Sequence, residues 1–513
     1  MTKPMNRRQL LTRLSLLGLS PSLALQGCMK NQKIDLRGAT GTSLGLGAGA
    51  AGQKPRFLFV FGAMGGASIN DSFLAVRQSE SDFANELNTF PDQWVKSIEG
   101  THLRAVDLSM NDIGPLPFPV RSNQSLFVQK HFRDIMVSTM EHSTVSHPLG
   151  QKRILTGNDA WNGRTLQEIV ALQYGQGMAL PNVNMSSLGF AEPGSDRSLP
   201  KDAVAELVSN PNFFTLGLHG HKGVPGVPEG KLVDIARRFR RDLDQQSDFY
   251  KTFKGSDKIQ EWLRLRQDKQ KKIEALNLID QLNLFEETSD LPFSDFGLNP
   301  NVNGDAIREL FPDLGADPLQ TQAALAYMLV SQGISSAVTM GLGMNVTING
   351  NDLDNPLLTN TPTGFDYSHN AHRGTQALLW NRSLDIIDRL ITLLKRTEFG
   401  NEGESLWDRS LILIATEFGR DKSRPKDAEE FSSGHHQNNG ITVISPMVNG
   451  GQVLGGVDPN TLLTYGFDPA TGKANPNRQM TEKEIFAGIL QALGVDTSEA
   501  NLPDMKAMRK GLV

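Results

Sequence analysis

Five short apolar runs constrain the fold of this chain most: Phe57-Leu58-Phe59-Val60-Phe61, which ends in Gly62, and the segments Asp134 to Met140, Ile334 to Met340, Leu411 to Ala415 and Ile441 to Ser445. A continuous apolar run of this length suits a strand covered on both faces, as in a parallel sheet. Helical patterns lie between the runs. Pro318 to Gln332 places apolar residues at Leu319, Ala323, Leu325, Ala326 and Leu329, with Asp317 as N-cap and Gly333 as the stop. Gly374 to Arg396 repeats the period through Leu384, Ile387, Leu390, Ile391 and Leu394. Each helix feeds the next strand, so the expected fold class is α/β, a mostly parallel sheet sandwiched by helices. Ligands of such sheets bind beyond the carboxyl ends of the strands.

With 513 residues and 38% hydrophobic content, the chain can build one large domain with insertions, expected over residues 55–495 and followed by a tail at 496–513. Thr481 and Glu484 are spaced as a capping box at the start of a closing helix, Thr481 to Gly494. Lys231 to Glu287 departs from the alternation and reads as a helical insertion. Its run Arg237-Arg238-Phe239-Arg240-Arg241 suits contact with anionic lipid or polymer, although a solvated face paired with its own acids is the simpler reading.

Residues 1–27 have the order of a signal peptide: Lys3, Arg7, Arg8 and Arg13 without an acidic residue, then a weakly apolar stretch from Leu14 to Leu25. That stretch is shorter than the roughly 20 apolar residues a membrane span needs. Asn6-Arg7-Arg8-Gln9-Leu10-Leu11 resembles the twin-arginine signal, whose translocase accepts folded cargo. Leu25-Gln26-Gly27-Cys28 resembles a lipobox, in which the cysteine is diacylated and becomes the new N-terminus. Two acyl chains suffice for stable anchoring. The expected partners are therefore the twin-arginine translocase, the lipoprotein-processing machinery and a membrane held through the lipid on Cys28, and the expected location is a bacterial cell envelope. Residues 28–54, rich in Gly, Ala, Ser and Thr, read as a flexible tether. Cys28 is the only cysteine, so no internal disulfide forms and no thiolate metal site can be built. Removing residues 1–27 takes away four positive charges and no negative ones, which moves the formal charge from −5 to −9 and makes the mature chain a poor nucleic-acid binder.

Three clusters carry the candidate chemistry. Thr416-Glu417-Phe418-Gly419-Arg420 comes after an expected strand and places a carboxylate and a guanidinium at the sheet edge, as ligand groups or as a plain ion pair. Phe365-Asp366-Tyr367-Ser368-His369-Asn370-Ala371-His372 and the Gly-flanked pair His435-His436 add one carboxylate and up to four imidazoles, which together favour a metal site. Glu141-His142-Ser143-Thr144-Val145-Ser146-His147 precedes the expected helix Gly150 to Leu155. A hydroxyl from Ser143 or Ser146 there is either a nucleophile beside an anion-binding helix N-terminus or a simple cap.

In their order along the chain, the Gly-rich turn after Phe57, Ser146-His147, Asn158-Asp159-Ala160-Trp161-Asn162-Gly163-Arg164, Phe365-Asp366 with His369, Glu417-Phe418-Gly419-Arg420 and the His435 loop before Gly450-Gly451 resemble the domain of unknown function 1501 family. That family lies within the alkaline phosphatase and sulfatase superfamily. The resemblance spans roughly residues 55–495 through short motifs separated by unmatched stretches. It implies an alkaline-phosphatase-like core and one or two divalent metal ions (zinc, manganese, calcium or magnesium) that activate a nucleophile against a phosphate or sulfate ester. By resemblance, Asp366 with His369 or His372, and His435 or His436, would hold one metal, and Glu417 would serve the second. Ser143-Thr144-Val145-Ser146-His147 also looks like the nucleophile segment of the metal-dependent phosphoglycerate mutases, with Ser143 at the serine. Ile154-Leu155-Thr156-Gly157 resembles the segment downstream of the sulfatase nucleophile. Arg420 or Arg164 would clamp the ester oxygens.

The chain departs from the family pattern at two points. Gly65-Gly66-Ala67-Ser68-Ile69-Asn70-Asp71 lacks the metal-binding Asp that relatives carry in this turn, leaving Asp71 to substitute or the second metal to be lost. Phe418 stands where better-known superfamily members have a metal-binding His. The expected function is thus a metal-dependent hydrolase of phosphate or sulfate esters with an unnamed substrate, the alternative being a lipoprotein of the same fold that binds or scaffolds without turnover.

Overall fold

The structure is a computed structural model that describes residues 54–110, 116, 119–186, 189–214, 230–264, 282, 304–342, 345–346, 361–362, 364–399 and 403–510. The expected signal peptide, Cys28, nearly all of the expected tether and much of the second half of the expected insertion lie outside these residues. Eight strands form the central sheet: β1 (Phe57–Gly62), β2 (Ile135–Glu141), β3 (Asn182–Asn184), β4 (Glu206–Leu207), β5 (Ala337–Gly341), β6 (Ser410–Ala415), β7 (Asn438–Ile444) and β8 (Gln452–Leu454). Their spatial order is β8-β2-β7-β6-β1-β5-β3-β4. Every neighbouring pair is parallel except the two made by β7, which runs antiparallel to both β2 and β6. The chain is therefore mixed α/β with a large, mostly parallel sheet, and the run at Ile441 to Ser445 belongs to its one reversed strand.

The helices used below are α1 (His147–Thr156), α2 (Leu166–Tyr174), α3 (Gly230–Gln246), α4 (Asp248–Phe253), α5 (Asp257–Arg264), α6 (Pro318–Ser331), α7 (His372–Arg396) and α8 (Glu482–Ala492). The sheet divides the core in two because successive side chains of a strand point to opposite faces. Phe57, Phe59 and Phe61 join one apolar cluster with α6 and α7, while Leu58 and Val60 join a second with α1, α2 and α8. Helices thus flank both faces, which explains why β1 is apolar at every position.

The caps read from the sequence form as expected. Asp317 accepts a hydrogen bond from the Leu319 N–H at the start of α6, and Thr481 and Glu484 make both halves of a capping box on α8. α7 starts differently. Its N-cap, Ala371, has no side-chain acceptor, and the carboxylate of Glu430 reaches in from a distant loop to accept from the N–H groups of Arg373 (2.8 Å) and Gly374 (2.7 Å). The insertion is helical where it is described, as α3, α4 and α5. Among the described residues no helix is long and apolar enough to cross a membrane.

Because Phe59 is wholly buried at the centre of β1, Phe59→Ala should destabilise the fold by about 3–5 kcal/mol. Urea unfolding should report this as a lower midpoint with an unchanged slope.

Candidate metal centre

Loops from five parts of the chain meet at the carboxyl edge of the sheet. The Gly65-Gly66 turn comes after β1, the segment leading to His147 after β2, and Glu417 after β6. Asp366 and His369 lie on a 3₁₀ turn, Gly364–His369, which hooks onto the first loop through a 2.9 Å hydrogen bond from the Phe365 N–H to the Met64 carbonyl. His435 comes before β7, so in an all-parallel sheet it would lie at the wrong edge. The reversal of β7 corrects this: Asn438, its first residue, pairs with Glu141, the last of β2.

A short ribbon then selects between the adjacent histidines. Arg420 pairs with His435 and Gly419 with His436. Neighbouring residues of an extended ribbon point to opposite faces, so one imidazole at most can enter the site. His435 enters. His436 instead accepts from the Asn438 N–H at 3.0 Å, and burial followed by the nearby Lys422 charge lowers its pKa.

Asp366 is the hub of the cluster. The ligand atoms of His147, Asp366 and His435 all lie within 4.8 Å of one another. His435 Nε2 is 3.0 Å from Asp366 Oδ1 and 2.9 Å from His369 Nε2, which is itself 3.3 Å from the same carboxylate oxygen. His147 Nε2 approaches Asp366 Oδ2 at 3.6 Å. Ligands bonded about 2.0–2.2 Å from one tetrahedral ion sit roughly 3.4 Å apart, so these separations match a shared divalent cation. The far side of each central ring supports the same reading. His147 Nδ1 donates to Glu417 Oε1 at 2.9 Å and His435 Nδ1 donates to the Val145 carbonyl at 3.1 Å. With both Nδ1 atoms committed as donors, a bound ion would displace the Nε2 protons that now face Asp366 and take the Nε2 lone pairs, the usual arrangement for a metal-ligating histidine.

The surrounding side chains hold this geometry. Phe418 stacks on the His435 ring at 4.0 Å between centroids and meets His147 edge-on at 4.8 Å. Gly66 has a φ of +78°, and a Cβ there would come within 2.7 Å of the Phe418 ring. At Gly150 a Cβ would stand 2.6 Å from the Glu417 carbonyl oxygen, so only glycine lets α1 bring His147 this close. Burial alone would raise the Asp366 pKa, but hydrogen bonds from His147, His435 and Arg420 hold it well below the usual carboxylate range. Burial likewise opposes the charge on His147, and its bonds to Asp366 and Glu417 overcome that penalty, raising its pKa to about 9. His369, at the exposed rim, is depressed by burial and by the Arg420 charge.

No family model, curated protein or solved structure matches the chain.

Of the residues expected from the sequence, the structure brings together Asp366, His369 and His435. Glu417 joins them as a support: it is fully buried, and its Oε1 accepts from the Gly65 N–H at 2.8 Å as well as from His147. Arg420 also has a different part from the expected clamp on substrate. Its buried guanidinium donates to Asp366 Oδ1 at 2.6 Å, to the Ser433 and Phe365 carbonyls at 3.2 and 3.3 Å, and to the Gly65 carbonyl. Asp71 and His372 form a separate buried pair at 3.2 Å, bridged by Asn88 Nδ2 at 2.9 and 3.1 Å. His372 is drawn there because it opens α7, whose first turn packs on the loop containing Asn88.

The Ser143 hydroxyl donates to Glu482 Oε1 at 2.6 Å and accepts from Arg153 Nη1 at 3.0 Å, which ties it to α8 instead of the His147–Asp366–His435 cluster. Ser146, the exposed N-cap of α1, makes no side-chain cap. Arg164 is paired with Asp196 at 2.7 Å and lies over the Trp161 ring, in a turn where Asn158, Asp159 and Asn162 all adopt positive φ. The residue outside the expected ligand set is His147. Its signal was present in the sequence, as an imidazole one position after the N-cap of a helix that succeeds a strand.

A raised pKa stabilises the fold only while the group is protonated. In the metal-free protein the contribution of His147 is therefore complete below its ordinary pKa of 6.5 and is lost as pH rises through about 9. Thermal unfolding in chelator should show Tm falling across that window, and His147→Gln should flatten the fall.

Proposed function

We propose that this protein is an exported, lipid-anchored, metal-dependent hydrolase of phosphate or sulfate esters at a bacterial cell envelope. The observation that carries the reading is the convergence of His147, Asp366 and His435 beyond the carboxyl ends of a mostly parallel sheet, beside the N-terminus of α1. An ion held by these residues would polarise an ester oxygen and lower the pKa of a neighbouring hydroxyl. The chain's own groups do the rest. The first turn of α1 carries N–H groups and a dipole that favour an anion. Glu417 fixes the orientation of His147, Arg420 keeps Asp366 ionised, and Ser146 is the hydroxyl we assign as nucleophile. The alkaline-phosphatase-like core and the likeness to the domain of unknown function 1501 family belong to this same proposal, supported by the order of the motifs.

Two observations favour a second reading, a binding or scaffold lipoprotein without turnover. Ser143 is engaged by Glu482 and Arg153, and Asp71 is engaged by His372 and Asn88. A serine at the position of Ser143 and a second metal ligand from the first loop are thus both withdrawn from the cluster.

Metal analysis of protein purified without chelator, paired with a panel of aryl phosphates and sulfates, separates the two readings. The expected result is a bound divalent ion and metal-dependent hydrolysis. Combining His147→Ala with His435→Ala should remove both, lowering kcat and not merely raising KM. Ser146→Ala should abolish turnover with metal content preserved, whereas Ser143→Ala should leave turnover intact and destabilise the fold by about 1–2 kcal/mol. Bound metal without hydrolysis of any ester would establish the non-catalytic reading. For the anchor, Cys28→Ala should convert the protein from a form that resists a high-salt wash of membranes to one that the wash extracts.

A further inference from the structure

Six of the twelve large apolar side chains exposed among the described residues lie between Ile235 and Trp262, on the three helices of the insertion. On α3, Ile235, Phe239 and Leu243 recur every four residues and are 42, 56 and 49% exposed. Helical spacing places them on one stripe. Of the four less exposed residues of the same helix, Val233, Arg237 and Asp244 share the opposite side and Leu232 lies within the stripe. α3 therefore presents its apolar stripe outward, the reverse of a helix that packs onto a domain. Its neighbours extend the patch. Phe249 and Phe253 pack together on α4 with ring centroids 5.1 Å apart, and Trp262 is exposed on α5, which is tied to the rest of the chain by a 3.0 Å hydrogen bond from the Lys201 N–H to Glu261.

The charge around this patch identifies what it faces. Residues 230–264 hold nine basic and six acidic residues, a net charge of +3 in a chain whose formal charge is −5. Helical spacing sets Lys231 and Arg238 along one edge of the apolar stripe, with Asp242 between them and the stripe and paired to Arg241 at 3.6 Å, and Arg240 along the other edge. Aromatic and aliphatic groups bordered by Lys and Arg form the pattern of a helix that lies in a membrane interface with its basic edges on anionic headgroups. A second copy of the chain fits poorly, because a two-fold pairing would set one positive face against another.

We infer that α3, α4 and α5 form a docking surface for an anionic lipid bilayer, a contact distinct from any acyl anchor and from the metal cluster. The surface lets the insertion rest on the membrane and hold the domain at a defined orientation.

The test uses the full-length chain carrying Cys28→Ala, so that no acyl chain contributes, with vesicles of phosphatidylcholine alone or mixed with phosphatidylglycerol. Sedimentation should show binding to the anionic vesicles that weakens with salt. Phe239→Ser combined with Leu243→Ser should lower that partitioning at least roughly tenfold. Both side chains are exposed, so the thermal midpoint should hold. Arg238→Glu with Arg240→Glu should do the same. Trp262 gives a local readout, since brominated lipid should quench its fluorescence, and Trp262→Phe should remove that quenching while leaving the protein bound. Binding that the α3 variants do not alter, or that ignores headgroup charge, overturns the inference. So does a self-associated species in sedimentation velocity that Phe239→Ser dissolves, which would assign the patch to a second copy.

Discussion

The guanidinium of Arg420 is the point on which the edge of this sheet depends. Removing such a group from water is unfavourable unless its donors are met, and here its Nη groups are met by carbonyls of Gly65, Phe365 and Ser433 and by the Asp366 carboxylate. Those acceptors belong to three segments far apart in sequence. One buried cation thus ties the first loop, the Asp366 turn and the histidine ribbon together. The same contact compensates the charge of Asp366, which in turn gathers His147, His369 and His435.

A second set of contacts keeps the first loop rigid beneath this centre. Gln376 on α7 accepts from the Ser68 N–H at 3.0 Å and donates to the Gly66 carbonyl at 3.1 Å, while Trp380 donates to the Ser68 carbonyl at 3.0 Å. From the other side, Asn439 on β7 accepts from the Ile69 N–H at 3.0 Å and donates to the Ala67 and Phe418 carbonyls at 2.9 and 3.0 Å. Backbone groups of the loop from Gly66 to Ile69 are thus met by fixed side chains, so Glu417 and Arg420 meet a preformed partner in Gly65. Such support holds the ligand atoms close together, because the hydrogen bonds to Asp366 offset the repulsion that crowded imidazoles would otherwise feel. The Asp71–His372 pair belongs to this support. Burial lowers the pKa of neighbouring Lys422 to about 8, with Asp71 and Asp421 opposing the shift, so charge is also balanced below the site.

The five longer strands and the sandwiching helices were legible in the residue pattern, since a strand buried on both faces is mostly apolar and a helix between two such strands must carry a 3.6-residue period. Asp366, His369 and His435 were legible as candidate ligands because carboxylates and imidazoles concentrated after or beside those strands. The choice among adjacent candidates was not legible. His435 and His436 are chemically identical in sequence, and pleating separates them. His369 and His372 are one helical turn apart, but the 3₁₀ turn ends between them and α7 carries His372 inward to Asp71. His147 stands beside two serines that suggest a nucleophile, and only the close approach of α1 over Gly150 reveals its contact with Glu417.

The sequence by itself determined the main elements of this protein: the five long buried strands, the helices between them, and that polar chemistry crowds the strand ends; the short strands Asn182–Asn184, Glu206–Leu207 and Gln452–Leu454 carry too few residues to show a period. Hydrophobic period and local capping suffice for that, because both act between residues a few positions apart. The tertiary structure decided the reversal of β7, and with it whether the histidine loop meets Asp366 at all. Strand direction rests on pairing between segments apart in sequence, Ile412 with Ile444 and Asn438 with Glu141, and neither face of a strand buried on both sides records which way its neighbour runs.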